Sequence, residues 1–417
     1  MTMLIAGAGI AGLSLGLTLH QIGVPFQIFE AVRSLRPMGV GINLQPNAVR
    51  ELFDLGLESD LREIGVSTQS VGFYAKTGRE IWTEPRGTAA GYHWPQISVH
   101  RGHLQMLLFD TLCRRAGAAC VVTECRATGF SSDAQKADLR VNGPDGPEVK
   151  TGSLIIAADG IHSALRQQMY PDEGSPIWGG AILWRGTTQA PPFLGGADMI
   201  LAGHDTQRFV AYPITAPDPA TDEATLNWIA ERRVDPAHGW RKEDWNRRAS
   251  LDDFLPDFEG WRFDWLDVPA LMRAATAVFE YPMVDRDPVP NWTQDRVTLM
   301  GDAAHPTYPV GSNGASQAIV DARTLGAAMR THGPTPDALK AYEAIVRPRT
   351  TGVTLANRGS GPDAILQMVE DRCSGVFDDI ETVIPRAELA AHAAKYKKLA
   401  GFDVKALNAQ PALIGPV

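Results

Sequence analysis

The first thirty residues restrict the fold more than any other part of the chain. Met3-Leu4-Ile5-Ala6 is a short apolar run, and Gly7-Ala8-Gly9-Ile10-Ala11-Gly12 reads G-x-G-x-x-G. Leu13 to Gln21 has helical apolar spacing that stops at Gly23, and Val24 to Phe29 forms a second strand-like run ending in Glu30. Strand, glycine turn, helix, strand and acid in this order specify a βαβ unit that binds an adenine dinucleotide. Gly7 permits the tight turn, Gly9 lets backbone approach a pyrophosphate, and Gly12, next to Ala11, lets helix and strand pack closely. The helix start offers free N–H groups to phosphate. Glu30 is placed to accept hydrogen bonds from ribose hydroxyls. This unit alone leaves NAD and FAD both open.

A second turn of the same kind lies far downstream, in "VTLMGDAAHPTYPVGSNGASQA" over 297–318. It reads as a strand, Gly301-Asp302, a Pro/Gly loop and a helix start near Gly314. Between the two, "LIIAA" at 154–158 is a buried-strand pattern followed by Asp159 in "DGIHSALR", and "HRGHL" at 100–104 opens a helical pattern. A plain NAD dehydrogenase has no use for a second acidic turn. FAD does, because its ribityl chain and ring extend beyond the pyrophosphate.

The set "GAGIAG", "ADGIHSALR" and "GDAAHPTYPVGSNGA", in that order, resembles the single-component FAD-dependent aromatic hydroxylases. Segments such as "RPMGVGINLQPNAV", "ISVHRGHLQM", "WRGTT" and "YPMVDRDPVPNW" are similar to the phenazine-carboxylate hydroxylase branch of that family. The resemblance implies a reaction in which NADH or NADPH, as a transient cosubstrate, reduces FAD. O2 then forms a flavin C4a-hydroperoxide that hydroxylates an aromatic, carboxylated small molecule, with decarboxylation as one outcome. It also implies roles for residues. Glu30 binds the adenosine ribose, Arg101 the pyrophosphate or ribityl region, and Asp302 the ribityl hydroxyls. Asp159 serves a motif shared between FAD and NAD(P)H. Pro309 and Gly311 lie along the ring near the oxygen-reacting carbon, with Gly314 opening the helix aimed at the flavin and Gly41 on the ring's other side. His305 is expected to be structural.

Residues 69–94 and 177–285 alternate in the manner of antiparallel strands ("GFYAKTGREIW", "RFVAYPI"). The expected architecture is therefore an α/β, Rossmann-like FAD-binding domain with a parallel sheet, discontinuous over 1–68, 95–176 and 286–349. A mainly antiparallel substrate sheet from 69–94 and 177–285 and a helical tail over 350–417 complete it. Trp184, Phe209 and Tyr212 are candidates for the pocket wall, with Arg185 or Arg208 as partner for an anion. Two rival readings are a non-oxygenating FAD oxidoreductase and, from a different class, a noncatalytic flavin-binding sensor.

The net charge of −9 and the absence of a basic stripe argue against nucleic acid. The four cysteines form no C-x-x-C, no metal-ligand spacing appears, and their scarcity fits a reducing cytoplasm. The apolar N-terminus has no basic residue before it, so no targeting segment is expected, and no run is long enough for a membrane span. A monomer or homodimer is expected.

Overall fold

The computed structural model describes residues 1–235, 247–359 and 361–416. Part of the expected substrate sheet segment, 236–246, thus lies outside the described residues.

The N-terminal run forms the centre of a six-stranded sheet. Met3–Ala6 pairs in parallel with Phe26–Phe29 on one side and with Ile155–Ala157 on the other. Beyond these lie Val121–Val122 at one edge and, at the other, Val297–Leu299 with its antiparallel neighbour Thr293–Gln294. Strands 3–6, 155–157 and 297–299 are buried throughout, as a sheet covered on both faces requires. Helix Ile10–Gln21 packs between this sheet and the long helix Gly314–His332, and its residues 10–19 are all buried. That explains a sequence that is apolar nearly all round. Gly23, at φ +72°, ends the helix as expected.

The second sheet has seven strands, from residues 70–74, 80–85, 177–190, 198–204, 207–213, 224–233 and 278–285. All neighbours are antiparallel except 70–74 with 198–204, which run parallel. The expected alternation is present, and each parity has its own covering. One face carries Trp184, Phe209, Ala211 and Trp228 and packs on the segment 254–272. The opposite face carries Val71, Phe73, Val210 and Tyr212 and packs on the C-terminal tail through Ile365, Leu366, Val369 and Leu389. Two small antiparallel sheets, one from 126–132, 137–143 and 146–152 and one from 41–44, 65–68 and 96–100, were not foreseen.

One expected boundary is corrected. The division at 349/350 falls inside a single helix, Pro336–Asn357, which runs on through Pro348. The tail proper starts after it, with helices Ala364–Cys373, Arg386–Leu399 and Val404–Ala409. Among the described residues no helix is long and apolar enough to cross a membrane.

Candidate cofactor and substrate cleft

Three turns leave the carboxyl ends of the adjacent parallel strands 3–6, 155–157 and 297–299. In an open α/β sheet that is where the connections reverse and a crevice forms. The turns touch one another. Gly7 adopts φ +99°, and a Cβ there would sit 2.4 Å from the Ala158 carbonyl oxygen, so the first turn lies against the second. A Cβ on Gly301 would be 2.9 Å from that of Ala11, so the third turn lies against the first. Ala11 is small for that reason. At Gly12 a Cβ would come within 2.0 Å of the Gly7 carbonyl oxygen. Gly9 and Gly314, by contrast, have nothing within 4 Å of a built Cβ. These two glycines border open space at the starts of two helices, where backbone N–H groups are free to meet an anion.

Charged groups flank this space. Glu30 accepts from the Ala8 N–H at 2.7 Å and from the Val32 N–H at 3.0 Å. Each carboxylate oxygen keeps a further lone pair for a ribose hydroxyl. Asp159 accepts from the Ala164 N–H at 3.0 Å, and its Oδ1 has no hydrogen-bond partner. Burial raises its pKa above the usual carboxylate value. Asp302 is exposed to the cleft yet ringed by protein, and this enclosure raises its pKa against the opposing pull of His305 and Arg101. Arg101 opens helix Arg101–Ala116 and is held beside the 37–41 loop by its N–H bond to the Val40 carbonyl (2.9 Å).

Two residues bind the turns into one unit. Arg166, 1% exposed, donates to the carbonyls of Ala303 (3.0 Å), Ala304 (2.7 Å) and Asp287 (2.8 Å), and pairs with Glu173. It ties the "DGIHSALR" segment to the "GDAAH" turn. Asp321, fully buried, accepts from the Gly301 N–H (3.1 Å) and lies 2.6 Å from His305 Nε2. Burial opposes protonation of His305, but Asp321, with Asp302 adding to it, more than offsets this and raises the imidazole pKa. His305 is thus an anchor of the turn.

The loop after His305 carries Pro309, which is exposed, and Gly311 at φ +70°. The space a side chain at Gly311 would take is filled by Tyr396 of the tail, whose hydroxyl would lie 2.3 Å from a Cβ. Gly311 is therefore small because of the tail, a reason that motif reading did not supply. Similarly, a Cβ at Gly41 would meet Asn227 at 2.6 Å, and the Gly41 N–H donates to Asn227 Oδ1 at 2.7 Å.

The sheet wall separates the five pocket candidates. Cross-strand register aligns Trp184, Ala230 and Phe209 on one face and Arg185, Ile229 and Val210 on the other. Trp184 stacks on Phe254 at 4.9 Å between centroids, and Phe209 is fully buried in the same core. Both point away from the cleft, which corrects the expectation for them. Arg208 is also corrected. It lies on the same face as Arg185 and Tyr212 but is consumed by Asp363, Asp205 (3.3 Å) and Glu231 (3.7 Å), and so fastens the tail.

Arg185 and Tyr212 remain. Arg185 donates to the Gly41 carbonyl at 2.8 Å, lies 5.8 Å from the Tyr281 ring centroid, and has an Nε without a partner. Among the described residues it forms no ion pair. Burial pulls its pKa down and pushes the adjacent Tyr212 up to about 12, so that phenol is neutral. Asn227 and Tyr281 complete this junction and were missed in the sequence. The signal was a polar residue at an inward strand position, as in "TLNWIAER", where Asn227 is fully buried.

Comparison with known proteins agrees with this geometry. A family model described as "FAD binding domain" matches residues 1–176 and 281–356. The chain is 42% identical over 348 residues to a phenazine 1,6-dicarboxylic acid hydroxylase of Lysobacter antibioticus, spanning 82% of this chain and 85% of that protein. It is 30% identical to a salicylate hydroxylase of Pseudomonas putida, over 81% and 80% of the two chains. Among solved structures, Klebsiella pneumoniae HpxO complexed with FAD and uric acid has the same fold, with a TM-score of 0.71 at 23% identity over 100% of this chain and 97% of that one.

Proposed function

From the premise that this chain belongs to the FAD binding domain family, as an FAD-dependent aromatic hydroxylase, we propose that it uses NAD(P)H and O2 to hydroxylate a planar aromatic carboxylic acid. The observation that carries the substrate class is Arg185: a half-buried cation with no acidic partner among the described residues, set in the sheet wall beside Tyr212 and Tyr281. An unpaired guanidinium in such a position favours a carboxylate, which it holds by charge-assisted hydrogen bonds. The neighbouring rings offer a flat apolar surface to the aromatic body.

FAD, once bound, supplies the redox chemistry and delivers one oxygen atom of O2 to the ring. The chain's residues do the rest. The starts of helices Ile10–Gln21 and Gly314–His332 direct N–H groups and positive dipole at phosphate and at the electron-rich end of the flavin. Glu30 and Asp302 accept from sugar and ribityl hydroxyls. The loop 306–313 and strand Gly41–Leu44 would border the flavin ring and exclude water there, which would limit wasteful release of H2O2. Arg185 fixes the register of the substrate ring.

Oxygen enters at the carbon bearing the carboxylate. Loss of CO2 then restores aromaticity, so no protein base has to remove a ring proton. Two relatives, a phenazine dicarboxylic acid hydroxylase and a salicylate hydroxylase, support an acid of this kind. They disfavour a non-oxygenating oxidoreductase and a sensor. The test is Arg185→Gln. It retains FAD but weakens binding of an aromatic acid, read as Kd from the flavin absorbance change, at least about tenfold, the scale of one charge-assisted contact, and leaves Kd for the corresponding amide, which binds but has no CO2 to lose, unchanged. Equal effects on acid and amide would remove Arg185 as the carboxylate partner.

A further inference from the structure

We propose that Tyr396, in the C-terminal tail, is a positioning residue: its hydroxyl clamps both ends of the 307–313 loop and makes the tail part of the reaction chamber. The inference rests on the reading that this loop borders the flavin.

The hydroxyl donates to Asn357 Oδ1 at 2.9 Å and accepts from Asn313 Nδ2 at 2.7 Å. Asn313 is the downstream end of the loop. Asn357 passes the hold to the upstream end, donating to Thr307 Oγ1 at 3.0 Å and the Tyr308 carbonyl at 3.3 Å. Gly311, midway, lies against the same phenol ring. One buried oxygen atom thus bridges a loop that needs an external hold. Gly311 and Ser312 adopt successive positive φ values of +70° and +52°, and for a serine such backbone persists only where its surroundings impose it.

The clamp is itself anchored. Lys397 pairs with Glu84 at 2.8 Å, Gln317 Nε2 donates to the Ala400 carbonyl at 3.2 Å, and Tyr92 bonds the Phe402 carbonyl. Tyr396 therefore stands on a tail fixed to the substrate sheet and to the flavin-directed helix at once. The middle of the loop has a second hold, because Gln45 Nε2 donates to the Gly311 carbonyl at 3.4 Å. The family match ends at residue 356, so the loop lies within it while Asn357 and Tyr396, which hold the loop, lie beyond it.

Tyr396→Phe keeps the ring and deletes the hydroxyl. In the FAD-free protein, amide hydrogen exchange over 307–313 accelerates about tenfold, the effect of one lost buried hydrogen bond, while strand 297–299 exchanges as before. Asn313→Ala, which removes the loop-side partner, reproduces this pattern if the tyrosine variant folds poorly. In the holoenzyme the fraction of NAD(P)H recovered as H2O2 rises severalfold, with KM for the aromatic acid unchanged. Unaltered loop exchange in both variants overturns the clamp, and accelerated exchange with unaltered coupling overturns the link to the chamber. The exchange measurement needs no turnover, so it stands even if the wild type hydroxylates no aromatic acid and the functional reading falls.

Discussion

Arg166 shows how much one side chain contributes to this site. It is buried, charged and bonded to three carbonyls of two segments over a hundred residues away in sequence. Replacing it with Met leaves those carbonyls unpaired and Glu173 with Arg286 alone (3.2 Å). Breaking a buried pair of this kind costs about 3–5 kcal/mol. Urea unfolding of the FAD-free Arg166→Met protein is expected to show a loss in that range, together with weakened FAD binding; a loss below about 1 kcal/mol would mean the turns hold together without it. His305 yields a pH prediction. Its folded pKa is raised, so its contribution to stability is fully present below the unfolded imidazole value of 6.5 and is lost as pH rises through the higher folded value. The stability advantage of the wild type over His305→Gln therefore shrinks as pH is raised above 6.5 through the higher folded value. An advantage that grows with pH would contradict the Asp321 assignment.

At the scale of elements, the glycines of the first turn separate into two kinds. Gly12 faces backbone and Gly9 faces open space, and Gly9 has an ordinary φ of −74°. Gly9→Ala is thus expected to leave the melting midpoint of the FAD-free protein unchanged and to weaken FAD at least about tenfold. Gly12→Ala lowers the midpoint itself. Equal midpoints for the two variants would show that Gly12 is not a packing glycine. The turn, the helix and the acid were legible in the sequence because each needs particular residue types at fixed spacing. The strands were legible from their alternation. The parity that faces the cleft was not, because both faces of the seven-stranded sheet are covered and both are apolar. Trp184 and Phe209 read as a pocket wall and are core, whereas Arg185 and Tyr212, one register step away, line the junction. Arg208 illustrates the same limit, since only the fold brings Asp363 to it.

At the scale of the whole molecule, the tail is the element the motifs described least. Its helices are amphipathic, but the sequence gives no sign of which surface they cover. They cover the face of the substrate sheet that carries Phe73, Val210 and Tyr212 and reach the loop of the third turn. Arg208 is the main electrostatic fastener, with Asp363 and Glu231 on either side. Arg208→Leu leaves two buried carboxylates without their cation, so limited proteolysis is expected to cut within 361–385 while the remainder of the chain resists. Protection equal to that of the wild type would show that apolar contacts alone secure the tail.

The central claim is that the cleft converts an aromatic acid into a hydroxylated ring. The most direct measurement is product mass spectrometry after turnover with NAD(P)H under 18O2, using an aromatic acid labelled with 13C at its carboxyl carbon. The expected product carries one 18O atom and has lost the 13C label, and forms in step with NAD(P)H consumption. A product that gains 18O but keeps the label would contradict attack at the carboxylate-bearing carbon. Substrate-stimulated NAD(P)H consumption that yields only H2O2 across a panel of planar aromatic acids would contradict the assigned reaction itself.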